Sequence, residues 1–239
     1  MASPNAAPRA ATARERVRAE LSREIKEEAR RQLAASGAGG LSLRAVAREL
    51  GMVSSALYRY YPSRDDLLTA LIIDAYNALG AAVEDAIAVG EASPASGRWT
   101  AAGHAVRDWA LANPHEYALI YGSPVPGYRA PEATIGPAAR VPLAFVGLLR
   151  EALARGELGG AGGALPPTGA LAEQADALSA ALAQPAVPPD VLVRAVIAWT
   201  QLFGMVSFEL FGQFVGSFEP ADALFAHAAE QLAAFVGLR

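Results

Sequence analysis

Six side chains between Ser54 and Tyr60 carry the densest chemistry in the sequence: Ser54, Ser55, Ala56, Tyr58, Arg59 and Tyr60. They offer two hydroxyls, a methyl, two phenols and a guanidinium, and no acid–base pair. Short side chains near the start of a helix can reach base edges in a DNA major groove. A serine hydroxyl donates or accepts a hydrogen bond, and an alanine methyl meets a thymine methyl. Arg59 suits a surface ion pair better than a base contact. Elsewhere the reactive residues are sparse. His104 and Asp108 stand four apart, and His115 adjoins Glu116, but two ligands make half a zinc site. No glycine-rich phosphate loop follows a strand, and there is no nucleophile elbow and no H-E-x-x-H motif. The chain has no cysteine, which excludes disulfides and thiolate chemistry. No catalytic residue, no metal site and no cofactor are expected.

Two short helices must position Ser54 to Tyr60. Leu43, Val46, Ala47 and Leu50 recur at helical spacing and give the first helix one apolar face. Gly51 ends it, and a second helix of about two turns follows, with Leu57 and Tyr61 facing inward. A joint this tight leaves the second helix protruding, which suits insertion into a major groove. Before the pair, Val17, Leu21, Ile25, Ala29 and Leu33 stripe a long helix from Thr12 to Ser36. After it, Pro62-Ser63-Arg64-Asp65-Asp66 is a helix start, with Ser63 as cap and Asp66 three residues on. That helix can reach Val89, with Gly80 as its weak point. Further helices are expected at Trp99–Asn113, Pro114–Tyr121, Pro137–Arg155, Leu171–Leu182, Pro189–Phe214 and Glu219–Leu238. Gly122–Gly136 and Gly156–Gly169 read as loops. No period-2 strand is visible, so the fold class is all-α.

At 239 residues the chain suggests two lobes, divided here as 12–62 and 63–239. It is 53% hydrophobic and 18% charged, enough for a sizeable core plus an interface or pocket. The net charge of −4 is unevenly spread. Residues 1–64 hold twelve Lys/Arg against six Asp/Glu, so the basic charge lies with the helix pair, as phosphate binding requires. The arginines at 9, 14, 16 and 18 could enter a minor groove or form a solvated tail. The greasiest run, Leu67 to Ile87, is broken by Asp74, Asn77, Glu84 and Asp85. No unbroken apolar stretch of about 18 residues appears, so no membrane partner is expected. The first residues have no apolar signal core, and a cytoplasmic location is the expectation.

The A-x-E-L-G turn ending at Gly51, the A-L-Y-R-Y-Y helix and the P-S-R-D-D-L-L exit stand in an order and spacing that resemble the TetR family of bacterial transcriptional repressors. The resemblance covers roughly residues 12–75, and more loosely the helical remainder. Val53 departs from it, standing where the family has a capping Ser or Thr. Ser54, one residue later, is the alternative cap. Tyr60 and Tyr61 replace a His and a Phe.

The resemblance implies phosphate contacts by Tyr58, Tyr60 and Arg64. With Ser42 and Arg44 at the start of the preceding helix, and Ser54, Ser55 and Ala56 at the base edges, these form the expected DNA-binding set. It further implies a double-stranded operator, near-palindromic because the two C-terminal helices pair with their copies in a homodimer. A small-molecule effector is implied too. The segments N-P-H-E-Y-A-L-I-Y-G and W-T-Q-L-F-G-M-V-S-F-E-L resemble a subgroup bearing a W-x-x-x-H-G motif, with Phe203 in place of the His. That replacement favours a greasy pocket or plain packing. The aromatics of the larger lobe, Tyr128 and Phe211 among them, supply the candidates, and the expected effector pocket is Trp109, Tyr117, Tyr121, Trp199, Phe203 and Phe208. The function expected is an effector-released repressor. The alternatives are a constitutive DNA-binding regulator and a small helical enzyme, and the regulatory sign stays open.

Overall fold

Helix-forming periodicity persists through nearly the whole chain, and the computed structural model, which describes residues 13–159, 165–182 and 187–239, is helical almost throughout. Among the described residues it has ten α-helices, two short 3-10 turns and no strand beyond an isolated bridge between Leu158 and Leu238. Two compact units divide it. One holds the described residues up to Leu71 together with Pro124–Arg129; the other holds Ile72–Ser123 and the described residues from Ala130 on.

The first unit contains α1 (Ala13–Ser36), α2 (Leu43–Glu49), α3 (Ser54–Leu57) and the opening turns of α4 (Arg64–Val89). Its core is Ile25, Ala29 and Leu33 from α1, Val46 and Ala47 from α2, Leu57 from α3, and Leu67, Leu68 and Leu71 from α4. The apolar stripe of α1 is shorter than expected. Val17 is 67% exposed, and residues 13–20 all face solvent, so the packed face begins only at Leu21. Gly51 takes φ +64°, the left-handed turn that a Cβ would strain. Ser42 caps α2 by accepting from the Ala45 amide at 3.4 Å. Ser63 accepts from the Asp66 amide at 3.1 Å and donates to its carboxylate at 2.6 Å, the reciprocal start that the spacing predicts. Tyr128, placed by sequence among the aromatics of the larger lobe, belongs to this unit, with its hydroxyl 2.9 Å from that of Thr69.

The second unit contains the rest of α4, then α5 (Ala95–Ala112), α6 (Pro114–Tyr121), α7 (Ile135–Ala154), α8 (Ala170–Ala181), α9 (Pro189–Leu210) and α10 (Asp222–Val236). Its core joins Leu79 and Val83 of α4 with Trp99, Phe145, Leu149, Leu202, Val206 and Phe225. α9 stops at Leu210, short of the expected Phe214, because Gly212 and Gly216 turn the chain at positive φ. Gly80 does not break α4. It makes room for Arg140, which donates to the Asn77 carbonyl at 2.8 Å and pairs with Glu84 at 2.5 Å. That pairing also lowers the pKa of Glu84. Among the described residues three spans, Arg64–Val89, Glu132–Ala154 and Pro189–Leu210, are long and, by mean hydropathy, apolar enough to cross a bilayer. Scattered charges interrupt the apolar run in Leu67–Ile87 without lowering the mean enough. Each span contributes buried residues to the cores described above.

Candidate nucleic-acid interface and apolar cavity

α3 is four residues long and continues into hydrogen-bonded turns, with the Tyr60 and Tyr61 amides donating to the Leu57 carbonyl at 2.8 and 3.1 Å. Only Leu57 and Tyr61 turn inward; the Tyr61 hydroxyl lies 2.9 Å from that of Ser22. Ser54, Ser55, Tyr58 and Arg59 are exposed and Ala56 and Tyr60 half-buried, so the unit presents the expected base-edge candidates to solvent. Val53 occupies the cap position without a side-chain cap, and the helix begins at Ser54; Ser54 does not take over the capping role. Val53 is 70% exposed, an apolar surface at the head of this helix that was not among the expected contacts.

A cleft of about 440 Å³ gathers Ser42, Arg44, Tyr58, Ser63 and Arg64. Four of the expected DNA contacts therefore share one concavity of hydroxyls and cations. They do not act alike. Arg44 and Tyr58 are exposed, whereas Arg64 donates from Nε to the Leu41 carbonyl at 3.2 Å and from Nη2 to the Ala38 carbonyl at 2.6 Å. It fastens the Ala38–Gly40 turn to the start of α4. Tyr60 sits outside the cleft, under the Arg18 guanidinium at 5.5 Å. Arg14, Arg16 and Arg18 lie on the exposed first turns of α1; Arg9 lies outside the described residues.

In the second unit, four of the six expected pocket residues form one cluster. The rings of Trp199 and Phe203 are 5.5 Å apart, Phe203 and Tyr121 4.6 Å, Tyr121 and Tyr117 5.3 Å. Tyr76 of α4 meets Tyr121 edge-on at 6.0 Å. Tyr117 is fully buried and donates to the Phe203 carbonyl at 3.0 Å, with the Ser207 hydroxyl 2.9 Å away. Burial pushes both Tyr117 and Tyr121 above the ordinary phenol value. The Tyr117 hydroxyl is thus satisfied within the cluster, while the Trp199 N–H is buried without an acceptor. Trp109 packs on the core as a partly buried ring. Phe208 is 55% exposed and lies beside Phe214, with ring centroids 5.9 Å apart.

One apolar cavity of this unit, open to solvent past Leu143, Leu178 and Val196, lies beside the cluster, between α7, α8 and α9. It has a volume of about 250 Å³ and takes Phe145, Leu149, Leu178, Leu192, Val196 and Trp199 into its wall. Of the six expected residues only Trp199 lines it. The rest of the wall is aliphatic or on α7 and α8, where the sequence shows ordinary core periodicity. Arg107 was also missed. It is 7% exposed, donates to both oxygens of Glu209 at 2.7 and 2.6 Å and to Asp222 at 3.1 Å, and lies over the Phe225 ring. One cation thus ties α5 to the end of α9 and the start of α10, and holds Asp222 below its ordinary pKa. An arginine in line with Trp99, Gly103 and Ala110 of α5 was the available signal. His104 packs edge-on against Phe225 at 5.4 Å, and no group of three metal-ligating side chains occurs among the described residues.

An exposed, serine-bearing helix beside a basic cleft and joined to a larger helical unit matches what comparison with known proteins returns. The profile described as "Bacterial regulatory proteins, tetR family" matches residues 25–71, and "Tetracyclin repressor-like, C-terminal domain" matches residues 99–232. The chain belongs to the TetR family of DNA-binding transcriptional regulators. It is similar to HTH-type transcriptional regulator Rv1816 of Mycobacterium tuberculosis, 42% identical over 200 residues that cover 82% of this chain and 83% of the relative. The crystal structure of a regulatory protein, SCO4313, superposes with a TM-score of 0.75 at 38% identity, covering 92% of this chain and 98% of that one. A Rhodococcus protein of unknown function superposes with a TM-score of 0.67 at 26% identity, covering 91% and 95%.

Proposed function

We propose that this regulator is a cytoplasmic repressor that binds a near-palindromic operator as a homodimer and leaves it when an apolar or aromatic small molecule enters the helical unit. The observation that carries the reading is the solvent-facing start of α3, where Ser54, Ser55 and the half-buried Ala56 stand clear of the core. In this reading residues 12–62 bind DNA. Ser54, Ser55 and Ala56 read base edges, while Ser42, Arg44, Tyr58 and Tyr60 hold phosphates; Arg64 adds charge and holds the cleft together. Residues 63–239 bind the effector and dimerise.

Pairing runs through α9 and α10. The outward stripe of α9 sets Ile197 and Phe208 around Thr200, Gln201 and Gly204. A Cβ at Gly204 would meet nothing within 4 Å. Such a stripe suits another helix, with small residues allowing close approach and apolar ones supplying contact area. Effector occupancy changes the fit to the operator by favouring one of two spacings of the DNA-binding parts.

The test is binding to operator and to random duplex across a salt series. Specific repression predicts tighter binding to the operator and a slope of about −0.9 log units per phosphate contact in log–log form. Equal affinity for both duplexes would leave an architectural binder, and no affinity for either at low salt would end the DNA reading of these residues.

A further inference from the structure

The chemistry of the cavity between α7, α8 and α9 specifies its guest more closely, an inference that rests on reading the helical unit as effector-binding. Among the described residues its wall consists of alanine, proline, valine, leucine, phenylalanine and tryptophan side chains. Trp199 carries the one polar side-chain atom among them, and that N–H is itself buried without an acceptor. An N–H already enclosed by protein does not reach the cavity surface, so the indole offers carbon there. The wall belongs to helices, whose backbone groups bond chiefly to one another. A guest finds no counter-charge and no side-chain hydrogen-bonding partner. An ionised group drawn inside, past the exposed rim of Leu143, Leu178 and Val196, would lose its water without replacement, which costs a factor of ten or more in affinity.

Size narrows the guest further. A dry cavity of about 150 Å³ accepts benzene, and drug-sized sites begin at about 300 Å³. By proportion, the volume of about 250 Å³ accommodates roughly ten carbons. Phe145 on α7 and Trp199 on α9 supply aromatic walls, which favour a flat ring over a flexible chain. The neighbouring tyrosine cluster is no rival site, because the Tyr117 hydroxyl is already engaged with Phe203 and Ser207. Trp199 nevertheless touches Phe203 of that cluster, so a guest pressing on the indole presses on Tyr121 and Tyr76 in turn. We infer that this cavity is a binding site for an uncharged, fused two-ring aromatic group, held by apolar contact alone.

Naphthalene is the probe, with 2-naphthoate as its charged counterpart, titrated into the full chain without DNA and followed by calorimetry and melting temperature. Saturable naphthalene binding, a raised melting temperature and at least tenfold weaker 2-naphthoate binding are expected. Val196→Trp, at an exposed position on the wall, should weaken naphthalene at least tenfold while the free protein melts as before. Leu178→Ala on α8 removes wall contact and should weaken it severalfold. The assignment is overturned by equal binding of 2-naphthoate, by no saturable naphthalene binding, or by affinity that neither variant moves. It is also overturned if Val196→Trp alters the sedimentation of the chain, since the face would then be a protein contact. Naphthalene binding that leaves operator affinity unchanged supports the cavity site and overturns effector gating.

Discussion

The two units are built from the same kind of helix but keep their chemistry on opposite sides. In the first, Ser54, Ser55, Tyr58 and Arg44 face solvent around a small aliphatic core. In the second, the Arg107 ion pairs and the Tyr117 hydroxyl are interior, and the apolar cavity is recessed behind an exposed rim of Leu143, Leu178 and Val196. The difference fits the partners proposed for the two units. A polyanion as large as a duplex can only be met from outside, and it is attracted by exposed charge and hydroxyls. A small apolar molecule must be enclosed to lose its water. Substitutions in the first unit should therefore change DNA affinity with little change in stability, and substitutions in the second should act the other way round.

The largest effect tests the interior. Arg107→Ala strands Glu209, which is mostly buried, and should cost about 3 kcal/mol in urea unfolding. Asp222→Asn, at the exposed end of the same network, should leave the urea midpoint unmoved. An unchanged midpoint for Arg107→Ala would remove the network from the stability of this unit.

On the exterior, Arg44→Ala should weaken operator and random duplex alike by about tenfold and flatten the salt slope by about 0.9. Its urea midpoint should stay where it was. Arg64→Ala sharpens the contrast because that side chain faces both ways. It should lower affinity and also destabilise the first unit by about 1–2 kcal/mol, since the Leu41 and Ala38 carbonyls each lose a charged donor.

Smaller still is Tyr117→Phe, expected to cost about 1 kcal/mol. Burial raises the folded-state pKa of Tyr117 and Tyr121. The unfolded phenols ionise near about pH 10 while the folded ones keep their protons. The resulting stability is complete below that pH and falls as pH rises through it. Melting temperatures measured from pH 8 to 11 should decline less steeply in Tyr117→Phe. Parallel curves would show that Tyr117 contributes nothing to the alkaline loss.

The exterior was readable from the sequence because its signals are local. Gly51 and the Ser63–Asp66 pair mark their turns within four residues, and the exposure of Ser54 and Ser55 follows from Leu57 and Tyr61 pointing inward. Even so, Val53 shows the limit. A valine in the cap position gives no propensity signal of its own, and only coordinates reveal it as exposed surface. The interior was less readable because its partners are remote. Arg107 meets Glu209 about a hundred positions later, and the cavity is assembled from α7, α8 and α9, whose residues each look like ordinary core. Aromatic content points to Tyr117 and Tyr121, whose rings pack 5.3 Å apart, and gives no sign that Leu149 and Val196 line a cavity. Helix ends failed for a similar reason: Gly212 and Gly216 halt α9 through backbone geometry that the apolar run to Phe214 conceals.

Gly80 carries a consequence for anyone repairing this chain by intuition. Alanine is the better helix former by about 1 kcal/mol, so a consensus-minded engineer would install it in the middle of α4. The added methyl would sit 2.8 Å from the Cβ of Arg140 and 2.9 Å from its Nε. The first of those atoms is fixed to the α7 backbone and cannot swing aside. The missing side chain is thus a keyway that sets where α7 seats along α4, and filling it trades a sound local bond pattern for a displaced neighbour.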